Sequence, residues 1–130
     1  MNLTEQLQRY FGFSEFREGQ QNTIEHVLKG HSALAIFPTG SGKSLCYQLS
    51  ALNLPHLTLV VSPLLSLMHD QLAFLHDKGV PAASLDSSLS KEAYAQVMDD
   101  ARCGRLKILM ISVERFKNER FRNFIRQVPI

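Results

Sequence analysis

A chain of 130 residues, 45% hydrophobic and 20% charged, has the length for one domain rather than two and enough apolar material for one core. No stretch approaches the apolar length of a membrane span, and the polar, amphipathic start Met1–Tyr10 is not a secretory signal. The net charge of +2 hides an asymmetry: residues 1–100 carry six Lys/Arg against ten Asp/Glu, and residues 101–130 carry eight against two. A basic end of this kind either contacts nucleic acid phosphates or forms the solvated face of a terminal helix, and charge alone favours the second.

In chain order, Asn2 with Glu5 resembles a capping box that opens a short helix ending near Gly12. A second helix is predicted from about Gly19 to Lys29, with Ile24, Val27 and Leu28 as its apolar stripe and Gly30 as its stop. Ala33–Ile36 reads as a strand, followed by a Gly-rich turn and a helix over Leu45–Leu52. Leu57–Val61 reads as a buried parallel strand. Ser62-Pro63 turns the chain into a helix from about Ser66 to Lys78, carrying Leu67, Met68, Gln71, Leu72 and Leu75 and closed by Gly79. A short strand follows at Pro81–Leu85. Ser90 caps a helix reaching about Arg102, which Gly104 ends. Lys107–Ile111 is a further apolar strand, and Phe121, Phe124 and Ile125 mark a final helix. Strands alternating with helices of this length imply a parallel sheet covered on both faces, with ligand at the carboxyl ends of the strands.

The most informative residues are Phe37-Pro38-Thr39-Gly40-Ser41-Gly42-Lys43-Ser44. Strand, Gly-rich turn and helix is the context of a phosphate-binding loop. Gly40 and Gly42 let successive N–H groups turn toward phosphate oxygens. Lys43 reaches the β- and γ-phosphates, the Ser44 hydroxyl suits Mg²⁺, and the helix dipole adds positive potential. Against the motif G-x-x-x-x-G-K-S/T there is one departure: Phe37 stands at the first Gly position.

Cys46 and Cys103 lack metal or redox spacing, so buried reduced thiols in a cytosolic protein are the expectation. The five histidines make no zinc pattern with them.

Upstream lies Phe11-Gly12-Phe13-Ser14-Glu15-Phe16-Arg17-Glu18-Gly19-Gln20. The Gln20 amide can offer a donor and an acceptor to the N6 and N7 edge of adenine. Phe13 can stack on the base and Arg17 can pack beside it. Plain core packing is the alternative for Phe11, Phe13 and Phe16.

With these blocks in place, the chain resembles the RecQ family of superfamily 2 DNA helicases. The Phe11–Gln20 block looks like that family's adenine-recognition motif, with Phe13 where Tyr is frequent. Pro38–Gln48 looks like its motif I, and the family tolerates a bulky residue at position 37. Val60–Gln71 is similar to motif Ia, and Ile111-Ser112-Val113-Glu114-Arg115-Phe116 to the later Ala-Pro-Glu-Arg-Leu block, with Val113 in place of Pro. The resemblance covers nearly the whole chain.

It implies an α/β, RecA-like P-loop fold: a mainly parallel sheet flanked by helices, incomplete here. Residues 1–130 would be the N-terminal portion of a helicase ATP-binding domain, stopping before the Asp-Glu-Ala-His motif. The implied function is the ATP-binding segment of an ATP-dependent 3′-to-5′ DNA helicase of repair and recombination, using ATP and Mg²⁺. It implies Lys43 as catalytic and Ser44 on Mg²⁺. Nucleotide would be held by Phe13, Arg17, Gln20, Thr39, Gly40, Ser41, Gly42, Lys43 and Ser44. Partners would be single-stranded DNA and unwinding duplex, with no membrane, in the cytoplasm or nucleoid. Ser62, Ser66 and Arg115 would line the nucleic acid path. From the residues themselves, Ser62 and Ser66 serve equally as a turn and a helix cap, and Arg115 equally pairs with Glu114 or Glu119. Lacking Asp-Glu-Ala-His, the chain alone is expected not to hydrolyse ATP. Two other readings remain: a nucleotide- or DNA-binding module without catalysis, and another P-loop enzyme such as a small-molecule kinase. The Gln20 block and the Ser62–Gln71 motif argue against the kinase.

Overall fold

The computed structural model describes residues 1–38 and 42–130, which divide into two compact units, Met1–Leu54 and Pro55–Ile130. In the first unit, α1 (Leu3–Gln6) opens with the expected capping box. The Asn2 side chain accepts from the Glu5 amide at 2.8 Å, and the Glu5 carboxylate accepts from the Asn2 amide at 3.3 Å. The helix passes into a π-helical turn over Leu7–Phe11, which Gly12 ends at φ 79°. Helix α2 (Gln20–Leu28) and helix α3 (Ser44–Asn53) pack on each other. Leu7, Phe11, Ile24, Leu45 and Leu49 are buried. The Asn53 amide group ties α3 to α1, donating to Gln6 Oε1 at 2.6 Å.

Ala33–Ile36 is not a strand. Its backbone takes no place in a ladder, and Leu34 and Ile36 are 88% and 84% exposed. A short apolar run becomes a strand only where a neighbour supplies hydrogen bonds, and among the described residues none does.

In the second unit the described residues form an open parallel sheet of three strands: β1 (Thr58–Val61), β2 (Ala82–Leu85) and β3 (Ile108–Ile111), in the order β1-β3-β2. Thr58 and Ala82 both sit in register with Ile108, and Val61 and Leu85 both with Ile111, so the three carboxyl ends are level. Central β3 is buried at every residue, as a parallel strand covered on both faces should be. Leu109 and Ile111 join a core with Leu85, Met98, Ala101, Phe121 and Phe124.

Around the sheet run α4 (Leu65–Asp77), α5 (Lys91–Arg102) and α6 (Glu119–Gln127). Ser90 caps α5 by accepting from the Ala93 amide at 3.1 Å, and Asn118 caps α6 by accepting from Phe121 at 2.9 Å. A 3₁₀ turn, Val113–Lys117, joins β3 to α6 where the sequence reads only as loop. The chain is thus α/β with a parallel sheet and flanking helices, as expected. No helix among the described residues is long and apolar enough to cross a membrane.

Candidate functional site

Two groups of chemistry-bearing residues form, one in each unit. In the first, Gln20 opens α2 and is buried at 3% exposure. Its Oε1 accepts from the Arg17 amide at 2.8 Å and its Nε2 donates to the Gly42 carbonyl at 2.7 Å. The upstream block and the Gly-rich loop, 22 residues apart, are therefore joined by one side-chain amide. A primary amide has two N–H donors and two acceptor sites, and these partners use one of each.

Gly42 adopts φ 78°, and a Cβ there would lie 2.6 Å from Gln20 Nε2, so only glycine fits. Lys43 is exposed at the start of α3, and Ser44 is the first residue of that helix. Burial pushes the Cys46 thiol up, which keeps it protonated and unreactive. Burial likewise pushes the Tyr47 hydroxyl up to about 12, against a hydrogen bond with Gln48.

Phe37, the departure from the loop motif, has a structural partner. It is half-buried, and a Cβ on Gly19 would meet its ring at 2.8 Å. Phe13 is 48% exposed and Arg17 is exposed. An open groove of about 520 Å³ runs past Phe16, Arg17, Glu18 and Gly19 at the start of α2, and Phe13 is not among its lining residues. Phe11 takes the packing role and is buried at 2%. Thr39, Gly40 and Ser41 lie outside the described residues.

These residues fit a nucleoside triphosphate: a helix start carrying Lys43 and Ser44, a glycine no side chain can replace, and an amide able to read a base edge. Ser44 carries a hydroxyl, the kind of group that ligates Mg²⁺ in such loops. Among the described residues no group of three or more His, Cys, Asp or Glu is arranged to hold a metal.

In the second unit a cleft of about 610 Å³ opens at the level carboxyl ends of the strands. Pro63 and Leu65 line one side. Ser112 and, from the 3₁₀ turn, Glu114, Arg115 and Lys117 line another, and Asp86 and Ser87 lie at the end of β2. Ser62 is half-buried at the end of β1, where its amide donates to the Ile111 carbonyl at 2.9 Å and its hydroxyl accepts from the Leu64 amide at 3.4 Å. Ser66 does not cap a helix: it lies inside the first turn of α4, exposed, and the cap position is Leu64. Among the described residues no side-chain hydrogen bond caps α4 at Leu64, and Leu65, its first residue, lines the cleft.

Arg115 does not pair with Glu114 or Glu119. Its Nε donates to the Leu85 carbonyl at 3.2 Å, and its guanidinium lies over the Tyr94 ring, 5.5 Å from the centroid. Glu114 is held below the usual carboxylate range by hydrogen bonds from its own amide and the Ser112 hydroxyl, with Lys117 adding a smaller attraction.

The sequence reading passed over Asp86. It stands at the carboxyl end of β2, 7% exposed. It accepts from the Ser84 hydroxyl at 2.9 Å, from the Ser88 amide at 2.8 Å and from the Ser88 hydroxyl, and His69 Nε2 lies 3.6 Å away. Burial pushes its carboxyl up, but the Ser88 and Ser84 hydrogen bonds together with His69 outweigh burial and hold it below the usual range. The Leu-Asp-Ser-Ser sequence carries a turn signal, and only the arrival of His69 from α4 marks more.

Compared with known proteins, residues 17–128 match the family model described as DEAD/DEAH box helicase. The chain is 44% identical over 115 residues to a protein of Haemophilus influenzae named ATP-dependent DNA helicase RecQ, covering 88% of this chain and 19% of that one. It is 42% identical over 125 residues to ATP-dependent DNA helicase Q-like 5 of Arabidopsis thaliana, covering 96% and 14%. With the probable ATP-dependent DNA helicase RecS of Bacillus subtilis it shares 41% over 129 residues, covering 98% and 26%. The resemblance to RecQ helicases thus holds across the chain, which spans between a seventh and about a quarter of these relatives' lengths. In fold it is similar to the crystal structure of a hypothetical ATP-dependent RNA helicase from Sulfolobus tokodaii, with a TM-score of 0.70 at 24% identity, covering 95% of this chain and 38% of that one.

Proposed function

Because the chain belongs to the DEAD/DEAH box helicase family, we propose that it is the ATP-binding segment of an ATP-dependent DNA helicase that moves 3′ to 5′ on single strands in repair and recombination. Residues 1–130 are then the N-terminal portion of its first RecA-like motor domain, ahead of the Asp-Glu-Ala-His motif, at work in the cytoplasm or on the nucleoid. The observation that carries the nucleotide half of this reading is the Gln20 bridge, which couples a base-reading amide to the backbone of the phosphate loop.

In this reading ATP with Mg²⁺ supplies the energy of phosphoryl transfer to the motor. Lys43 would offset charge on the β- and γ-phosphates, and Ser44 would give its hydroxyl to Mg²⁺. Amides of Thr39 to Gly42 would face the phosphates. Gln20 reads the adenine edge with the donor and acceptor its protein partners leave, Phe13 stacks on the base, and Arg17 packs beside it. The isolated chain holds nucleotide without DNA-stimulated turnover, because no Asp-Glu-Ala-His run occurs in its sequence. DNA-dependent phosphate release by the pure chain, abolished by Lys43→Ala, would overturn that statement.

For the nucleic acid half, the cleft at the strand ends supports the reading. Arg115 and Lys117 line that cleft, and Leu65 at the start of α4 lies in it; Ser62 and Ser66, which are not among its lining residues, are proposed to extend the phosphate path from the end of β1 into the first turn of α4. Binding to single strands is then sequence-independent and salt-sensitive, through counterion release. Arg115→Ala is expected to lower affinity for all sequences and to reduce the salt slope by about one unit. Unchanged slope and affinity would remove Arg115 from the site and leave the basic residues as surface.

A further inference from the structure

We propose that Asp86 is a positioning residue of the cleft, fixing through His69 and Ser88 the walls between which a single strand lies. The inference rests on the reading of that cleft as the nucleic acid site.

Leu85 and Asp86, two consecutive residues at one strand end, receive three separate parts of the cleft. The Leu85 carbonyl takes Arg115 Nε from the 3₁₀ turn at 3.2 Å. The Asp86 carboxylate faces His69 Nε2 of α4 at 3.6 Å and takes the amide and hydroxyl of Ser88 from the turn before α5. Ser87, held between Asp86 and Ser88, lines the cleft.

An anion in the wall of a phosphate site repels the ligand unless its charge is used elsewhere. Here it is used inward. Asp86 is 7% exposed, Ser84 and Ser88 donate to it, and the half-exposed His69 reaches over it. Carboxylate hydrogen bonds of this kind are stronger than neutral ones, so they define the position of the groups that make them. Asp86 therefore acts through its neighbours and sets where Ser87 and the His69 turn of α4 stand, next to the Leu85 carbonyl that holds Arg115.

The test is binding of the 130-residue chain to a fluorescein-labelled oligothymidylate, followed by anisotropy across a salt series, well below the melting temperature of each variant. Asp86→Asn keeps the size of the side chain and removes the charge. If Asp86 were only a repulsive charge near DNA, this change would strengthen binding. As a positioning residue it weakens binding by about tenfold, the loss of a charge-assisted hydrogen bond in the cleft wall. His69→Gln weakens binding by about threefold, since His69 is half-exposed and its contact is long. The double variant is no weaker than Asp86→Asn, because His69 acts through Asp86.

Equal or tighter binding by Asp86→Asn, or additive losses in the double variant, overturns the proposal. A lower melting temperature with unchanged affinity and salt slope does so too, since it is what a purely structural residue gives. Arg115→Ala separates the two levels of inference. If it leaves affinity unchanged, or if the wild-type chain binds no oligothymidylate, the cleft reading and this proposal fall together. If Arg115→Ala weakens binding and Asp86→Asn does not, only the positioning role falls. Should Asp86→Asn fail to fold, His69→Gln with and without Arg115→Ala carries the test: a loss confined to the Arg115 background supports the role, and no loss in either refutes it.

Discussion

Replacing Gln20 by Ala removes a side chain that joins the upstream block to the phosphate loop. Its amide is buried, and both of its described bonds are short, 2.8 Å from the Arg17 amide and 2.7 Å to the Gly42 carbonyl. Each neutral bond contributes about 1 kcal/mol net, and the substitution leaves a backbone N–H and a C=O without these partners where water has limited access. Adding the space vacated beside Gly42, the expected loss of stability is about 2–4 kcal/mol, a large part of the ~5–15 kcal/mol that holds a typical domain. Urea unfolding without nucleotide measures this term alone. Calorimetric titration with ATP and GTP measures the second: loss of adenine recognition is expected to cost a further ~1–3 kcal/mol in ATP affinity and to leave GTP nearly unaffected. Gln20→Glu is the sharper control. Its carboxylate still accepts from the Arg17 amide but meets the Gly42 carbonyl with a second acceptor, so it should be no better than Ala. A wild-type urea midpoint in Gln20→Ala, or equal losses for ATP and GTP, would refute the reasoning.

Three further outcomes are expected. Gly19→Ala places a methyl 2.8 Å from the Phe37 ring in a backbone at φ 86°; the left-handed backbone alone costs about 1–2 kcal/mol, read in the same urea assay, and Phe37→Leu should relieve part of the clash. Asp86 has a native pKa below that of the unfolded chain, about 3.9, so its stabilisation is complete above that value and is lost as the pH falls through the native pKa; acid unfolding of Asp86→Asn should show a shallower loss than wild type over that interval. Tyr94→Ala removes the ring under Arg115 and should lower the thermal midpoint by a few degrees, about 1 kcal/mol, while Tyr94→Phe keeps it near wild type.

The features legible in the sequence were those that local chemistry decides. Asn2 and Ser90 cap helices because their side chains bond amides three residues away, and Gly30 and Gly104 stop them because they take φ near 80–90°. Strands β1, β2 and β3 showed as apolar runs. Ala33–Ile36 showed the same pattern and is not a strand, because pairing is decided by a neighbour and not by the run itself. The 3₁₀ turn at Val113–Lys117 has no periodicity long enough to read. Arg115 was legible as a cation, but its partner is a backbone carbonyl 30 residues away, which no pattern of side chains reveals. Asp86 was hidden for a similar reason: Ser84 and Ser88 are nearby in the chain, whereas His69 comes from another helix. Phe37 looked like a flaw in a motif until Gly19 appeared beneath its ring.

The strand order β1-β3-β2 sets a sequence of events for a chain emerging from the ribosome. Neither β1 nor β2 pairs with the other; both pair with β3, the last of the three to be synthesised. Thr58 must wait for Ile108, and Ala82 for the same residue. Until Ile108–Ile111 are available, two apolar strands have backbone groups without a ladder, and then one insertion completes both sides at once. Such long loops slow folding, and the waiting strands are the segments a chaperone would protect during that interval.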